Sequence, residues 1–246
     1  YQWEGSDETL TGEPIEVSMD WSVVPGHEQD YSRVIVTTID ITERKRSERE
    51  IQQRTGELLL INTLNDAANR GETIETITEI FARETRNMFD CQDVAVYLLS
   101  PDGAYLEMQS STISNSLVEQ IEKFIGVTIP RIRIPVREDS YTRKLLNTPQ
   151  GVISSSPAQI AAWMGEFTET TFLPNALRSA IKKILPQVLK ILKINAVITI
   201  PLVSSGRTIG LLDMSTRGEF TVDDLRRVRI LSHQMTAVIL RKQAET

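Results

Sequence analysis

Residues 14–24 alternate Ile15, Val17, Met19, Trp21 and Val23 with mostly polar neighbours, which predicts a strand with one face on a core and the other toward water. A second run rich in Val, Ile and Thr at residues 33–41 predicts its partner, across a turn at Pro25-Gly26-His27. Charged helix formers begin directly after Asp40-Ile41-Thr42 and continue to about Asn69, so a strand feeds into a long helix. Along that helix Ile51, Leu58, Ile61, Leu64 and Ala68 follow spacings of seven, three, three and four. Such a stripe suits either a contact between two helices or packing on the helix's own domain, and Arg54 and Asn65 interrupt it as a heptad seam.

Ile74, Ile77, Ile80, Phe81 and Met88 then lie on one face of a helix expected over residues 72–89. Two short apolar runs, 94–99 and 104–110, flank Ser100-Pro101-Asp102-Gly103 and predict a hairpin. Ser116 with Glu119 has the form of a capping box for a helix carrying Leu117, Ile121 and Phe124, stopped by Gly126. Two prolines limit residues 127–136 to an edge or irregular strand. Helices are expected at 141–146, at 158–167 after Ser156-Pro157, and at 175–192, where Pro186 should kink or divide the last. A second hairpin, 196–203 and 208–215, turns at Ser204-Ser205-Gly206. The final helix opens at Thr221 with Asp224 three residues on, and its seam is Leu225, Val228, Leu231, Met235 and Val238.

Composition changes this picture little. The net charge of −6 gives no overall positive field for nucleic acid or an anionic membrane, and the basic runs at residues 44–46 and 226–227 read as solvated helix faces. Neither a membrane-spanning window nor a signal-peptide pattern is visible, and the single cysteine, Cys91, precludes an internal disulfide. A cytoplasmic setting is the expectation. A chain that starts at Tyr1 suggests a piece of a longer polypeptide, with an output domain elsewhere.

Candidate chemistry is sparse. His27, His233 and Cys91 are too few and too scattered for a His/Cys metal site, so no metal is expected and the cofactor is unknown. Phosphate-binding glycine loops and a nucleophile elbow are missing from the sequence. Ser154-Ser155-Ser156 reads as loop and helix cap, and Asp223-Asp224 and Glu138-Asp139 as helix starts. Cys91 reads as a small packing residue, the alternative being a redox thiol or a tetrapyrrole anchor. His233, in Ser232-His233-Gln234, reads as part of a structural helix, the alternative being a phosphoacceptor.

Residues 196–214, AVITIPLVSSGRTIGLLDM, followed by Phe220 and the last helix, resemble the final hairpin and helix of GAF domains, and residues 94–103 resemble an earlier GAF strand and turn. Asp40-Ile41-Thr42, at a strand-to-helix junction, is similar to the end of a PAS domain. The resemblance implies an α+β fold with a GAF-like central antiparallel sheet flanked by helices. Its parts would be incomplete PAS strands at 1–42, a connector helix at 43–69, and a GAF domain at 70–243 with a helical insertion at about 137–192. It further implies the sensory region of a signalling protein such as a sensor histidine kinase, without catalysis of its own. A pocket for an unknown small ligand is expected between sheet and insertion, with Tyr141, Trp163, Phe167 and Phe172 as candidate lining residues. The bland alternative is that these aromatics fill the insertion's own core. Relay through a homodimer is expected on Ile51, Leu58, Ile61, Leu64, Leu231 and Met235. A ligand-free structural connector and a Cys91-dependent redox enzyme are the rival readings.

Overall fold

The computed structural model describes residues 2–126, 132–169 and 191–245, together with residues 178, 179, 182, 183, 187 and 188. The chain divides into two compact units, Tyr1–Leu58 and Leu59–Thr246.

In the first unit β1 (Gln2–Glu8), β2 (Pro14–Val23) and β3 (Val34–Asp40) form an antiparallel sheet in the order β1-β2-β3. Strand β2 arises where alternation predicts it, and β3 where the Val-, Ile- and Thr-rich run does. The sequence pattern does not predict β1, because Trp3 is its only large apolar residue; pairing with β2, which sets Trp3 opposite Met19, makes it a strand. Helix α1 (Thr42–Asn69) starts where β3 ends. Asp40 Oδ1 accepts from the Thr42 amide at 2.8 Å, Thr42 Oγ1 accepts from the Glu16 amide at 2.9 Å, and the Ile41 amide donates to Glu16 at 2.8 Å. Strand and helix are therefore stitched at one point, with Ile41 buried beneath. Hydrogen bonding from Thr42 holds the Asp40 carboxyl below its ordinary range. Glu4 pairs with Arg44 and Lys45, and Glu16 with Arg49, so the first turns of α1 are also tied to β1 and β2.

The second unit takes the last part of α1 and adds α2 (Ile74–Met88), β4 (Asp93–Leu99), β5 (Tyr105–Ser111), α3 (Asn115–Ile125), β6 (Arg133–Pro135), α4 (Tyr141–Leu146), β7 (Val152–Ser154), α5 (Pro157–Glu166), β8 (Ala196–Ser204), β9 (Arg207–Thr216) and α6 (Val222–Ala244). Its sheet is antiparallel in the order β6-β5-β4-β9-β8-β7. The fold class is α+β, as expected.

Local chemistry sets most boundaries. Ser140 and Ser156 accept from the amides of Arg143 and Gln159, capping α4 and α5, and Pro157 occupies the first turn of α5. Thr221 and Asp224 form the expected capping box of α6. Helix α3 is a correction: its cap is Ser114, which accepts from the Leu117 amide, and not a box of Ser116 with Glu119. The second hairpin turns on two residues, Ser205 and Gly206, with φ of 49° and 76°. Two positive φ values give the turn a twist that matches the strands, which explains a glycine there. Gly210 is required by proximity: a Cβ at this position would lie 2.1 Å from the Tyr97 carbonyl oxygen on the neighbouring strand.

Strand β7 has no signal in the sequence, since three residues carry no readable period; Val152 and Ile153 become strand only by pairing with β8. Ser154 ends that strand and Ser156 is the cap. Within the stretch expected as an irregular strand, β6 is strand and residues 127–131 lie outside the described residues. Most of the helix expected at 175–192, including Pro186, also lies outside them.

Because side chains alternate along each strand, the sheet has two different faces. Val94, Val96, Leu98, Ile198, Ile200, Leu202, Leu212 and Met214 face a core shared with Leu60, Leu64, Ala67 and Ala68 of α1, Ile77 and Phe81 of α2, and Val228, Leu231, Met235, Val238 and Ile239 of α6. Ala95, Tyr97, Val197 and Leu211 face the other way, against Leu145, Leu146, Ile160 and Trp163 of α4 and α5. Among the described residues no helix is long and apolar enough to cross a membrane.

Candidate functional site

The second face carries two carboxyl groups, Asp93 and Asp213, beside a buried tyrosine. Strand β4 places Asp93, Ala95 and Tyr97 there, and β9, paired with it so that Ala95 faces Asp213 and Asp93 faces Ser215, brings a second carboxyl group beside the first. Trp163 of α5 lies over them, and its Nε1–H donates to Asp213 Oδ2 at 2.8 Å. Tyr97 packs edge-on against Trp163 at a centroid separation of 6.2 Å and against Phe167 at 6.1 Å, and Trp163 meets Phe167 at 5.0 Å. Edge-to-face contacts of this kind add about 0.5–1.5 kcal/mol each beyond simple burial.

Electrostatics mark the same residues. Burial pushes the Asp213 carboxyl up to about 8, the nearby Asp93 charge adds to this, and hydrogen bonds from Trp163 and Tyr97 oppose it. Burial raises Asp93 as well, although Thr112 and Ser111 counter it: Asp93 Oδ1 accepts from the Thr112 amide at 2.8 Å, Thr112 Oγ1 at 2.9 Å and Ser111 Oγ at 3.0 Å. Burial, followed by the Asp213 and Asp93 charges, drives the Tyr97 phenol well above its ordinary range. Asp213, Asp93 and the Tyr97 phenol, each shifted upward chiefly by burial, stand side by side as hydrogen-bond donors and acceptors.

Of the aromatic residues singled out from sequence, Trp163 and Phe167 meet in this cluster. Tyr141 starts α4, and its backbone amide donates to Glu166 Oε1 at 3.0 Å while Thr142 Oγ1 donates to Glu166 Oε2 at 2.9 Å, joining α4 to the end of α5. Phe172 lies outside the described residues. Next to Phe167, Glu169 accepts from Arg137 at 3.1 Å and pairs with Arg178 and Lys182; the Lys182 contact is the main reason its carboxyl stays below the usual range.

Sequence reasoning missed Tyr97, Asp93 and Asp213. One signal was present: Asp213 interrupts the apolar run Ile209 to Met214 in an expected hairpin strand, and an acid in an apolar run needs partners if it is buried. Tyr97 gave no signal, since a tyrosine in a strand is ordinary.

The helix residues separate into two groups. Leu64, Leu231 and Met235 are buried in the apolar core and Ile61 packs at its edge, whereas Ile51 and Leu58 are exposed. Cys91 is buried before β4, and burial with the Asp93 charge lifts its thiol to about 12, so it stays protonated near neutrality. His233 is on the exposed side of α6 between buried Ser232 and buried Met235. Among the described residues no cluster of His, Cys, Asp and Glu is arranged to hold a metal ion. An open cleft of about 640 Å³ lies elsewhere, between Ile153, Asn195 and the Arg217–Phe220 segment that precedes α6.

The known proteins most informative about this architecture are solved structures. The phycoerythrobilin-bound GAF domain of a cyanobacterial phytochrome is 14% identical with a TM-score of 0.51, covering 77% of this chain and 97% of that one. A methyl-accepting chemotaxis protein fragment is 10% identical with a TM-score of 0.53, covering 76% and 98%. The GAF domain of a phosphoenolpyruvate-protein phosphotransferase from Coxiella burnetii is 9% identical with a TM-score of 0.50, covering 78% and 96%. At these identities the likeness is one of fold. No curated protein sequence matches the chain. The GAF domain family model matches residues 73–239, well over half of the chain, and with the six-stranded sheet and its two unlike faces in place, the chain belongs to the GAF domain family.

Proposed function

We propose that this chain is a sensory and regulatory region of a signal-transduction protein, non-catalytic in itself, in which α1 relays between an N-terminal PAS-like sheet and the GAF domain. The observation that carries this reading is the division of labour along α1. Its first turns are bonded to β1 and β2 through Glu4, Glu16 and the Asp40–Thr42 junction, and its last turns place Leu60, Leu64, Ala67 and Ala68 in the GAF core. A helix rooted in this way in each unit suits the transfer of a change from one to the other. The parent protein in this reading is a sensor histidine kinase, with the output domain outside this chain and a cytoplasmic setting.

Small-ligand binding is assigned to the insertion face, where Trp163, Phe167 and Tyr97 meet Asp213 and Asp93. Dimerisation is assigned to the exposed Ile51 and Leu58, seven residues apart on α1, because Leu64, Leu231 and Met235 already serve their own core. The double variant I51D/L58D should convert a dimer into a monomer in sedimentation velocity. A wild-type monomer at high concentration, or an unchanged dimer in the variant, removes the dimer relay.

The second reading is a ligand-free structural connector, favoured by the way Trp163 and Tyr97 fill the insertion face themselves. Melting scans against metabolites, nucleotides and haem separate the two, because a ligand of the native state raises Tm. Burial and protonation of Cys91 speak against its use as a redox thiol or a tetrapyrrole anchor, and C91S should leave any ligand response intact.

A further inference from the structure

Helix α5 meets the sheet through a polar contact enclosed by hydrocarbon. The indole N–H of Trp163 reaches Asp213, and Leu146, Ile160, Val197 and Leu211 belong to the same buried cluster. Both Trp163 and Tyr97 are almost wholly removed from solvent, at 2% and 1% exposure. The groups that bear on Asp213 are Asp93 and Tyr97 from β4 and the uncharged indole from α5; β8 presents Thr199 opposite it. None of these is a cation.

A neutral carboxyl group suits these surroundings. Its oxygen accepts from the indole, and the Tyr97 phenol, both donor and acceptor, serves the carboxyl group in either protonation state. An ionised carboxylate does not suit them: it would be a buried charge beside a second acid, with no counter-ion among the groups named above. Strands β4 and β9 are locked to each other by their ladder, whereas α5 is joined to them through side chains. Relief of a buried charge therefore comes most readily by moving α5 and letting water in.

We propose that Trp163, Asp213 and Tyr97 form a proton-controlled latch: the neutral Asp213 carboxyl group holds α5 against β4 and β9, and its ionisation releases the helix toward solvent. The latch does not depend on whether a small ligand occupies this face. The closed state binds the proton more tightly than an open or unfolded state, in which the carboxyl returns toward its ordinary value near 4. The closed state is thus fully favoured below that value and loses its advantage as pH rises through about 8.

The test uses the full chain with Trp3 and Trp21 replaced, W3F/W21F, which leaves Trp163 as the only indole. Its emission maximum is followed from about pH 6 to about pH 10, with far-ultraviolet circular dichroism recorded in parallel. The expected result is a red shift with a midpoint near 8 at constant helix signal, abolished by adding D213N. A flat emission profile, the same transition in D213N, or a loss of helix signal in step with the shift overturns the latch. Carboxyl carbon resonances of the aspartate-labelled wild-type chain provide a second measurement that does not require D213N to fold. One aspartate titrating near 8 supports the latch, and titration of every aspartate below about 5 overturns it.

Discussion

The two faces of the six-stranded sheet are built by the same strands and serve different ends. Toward α1, α2 and α6 the strands present Val94, Val96, Leu98, Ile198, Ile200, Leu212 and Met214, an apolar surface whose contribution is burial. Toward α4 and α5 they present Asp93, Tyr97 and Asp213, which need specific partners because an unsatisfied polar group in such a place costs more than a hydrogen bond returns. The apolar face can be changed in shape only at the expense of packing. The polar face holds the Trp163–Asp213 hydrogen bond, so the latch proposed above would act on this side of the sheet.

That contrast can be broken from either side. The largest effect is expected from Leu212→Ala on the apolar face, where removing a fully buried side chain should cost about 2–5 kcal/mol in urea unfolding and leave any pH response of the other face in place. Trp163→Phe keeps an aromatic ring but removes the indole donor, so the buried Asp213 carboxyl loses one of its hydrogen-bond partners at a cost of about 1–3 kcal/mol. Because that donor opposes the rise caused by burial, the Asp213 resonance should titrate still higher in this variant. Phe167→Leu keeps an apolar side chain, removes the edge contacts with Tyr97 and Trp163 at about 0.5–1.5 kcal/mol each, and leaves the Asp213 midpoint where it was. Equal losses and an unmoved titration in all three variants would show that the faces do not differ in kind.

Much of the architecture was legible along the chain because local chemistry repeats there. Alternation marked β2, a short apolar run beside the turn Ser100-Pro101-Asp102-Gly103 marked β4, helical spacing marked α2 and α6, and Thr221 with Asp224 marked the start of α6. The short strands β1 and β7 were not legible: seven residues with one apolar member and three residues with no period become strands only through the neighbour that pairs with them. The cap of α3 was misplaced by two residues because Ser114 and Ser116 are equivalent as serines, and only the chain's path decides which meets the free amide of Leu117.

The candidate site shows the same boundary. Trp163 and Phe167 stood out as large residues in the insertion, yet their partners, Tyr97 and Asp213, lie 66 and 50 residues from Trp163 in sequence, on strands. Periodicity therefore determined which residues point to a core and where most elements begin, since both depend on neighbours three or four positions away. Tertiary structure alone decided which buried groups meet, that burial raises the Asp213 carboxyl, and that α1 divides its residues between an exposed stripe and a core. Those outcomes depend on desolvation and on contacts between distant segments, neither of which has a local signature.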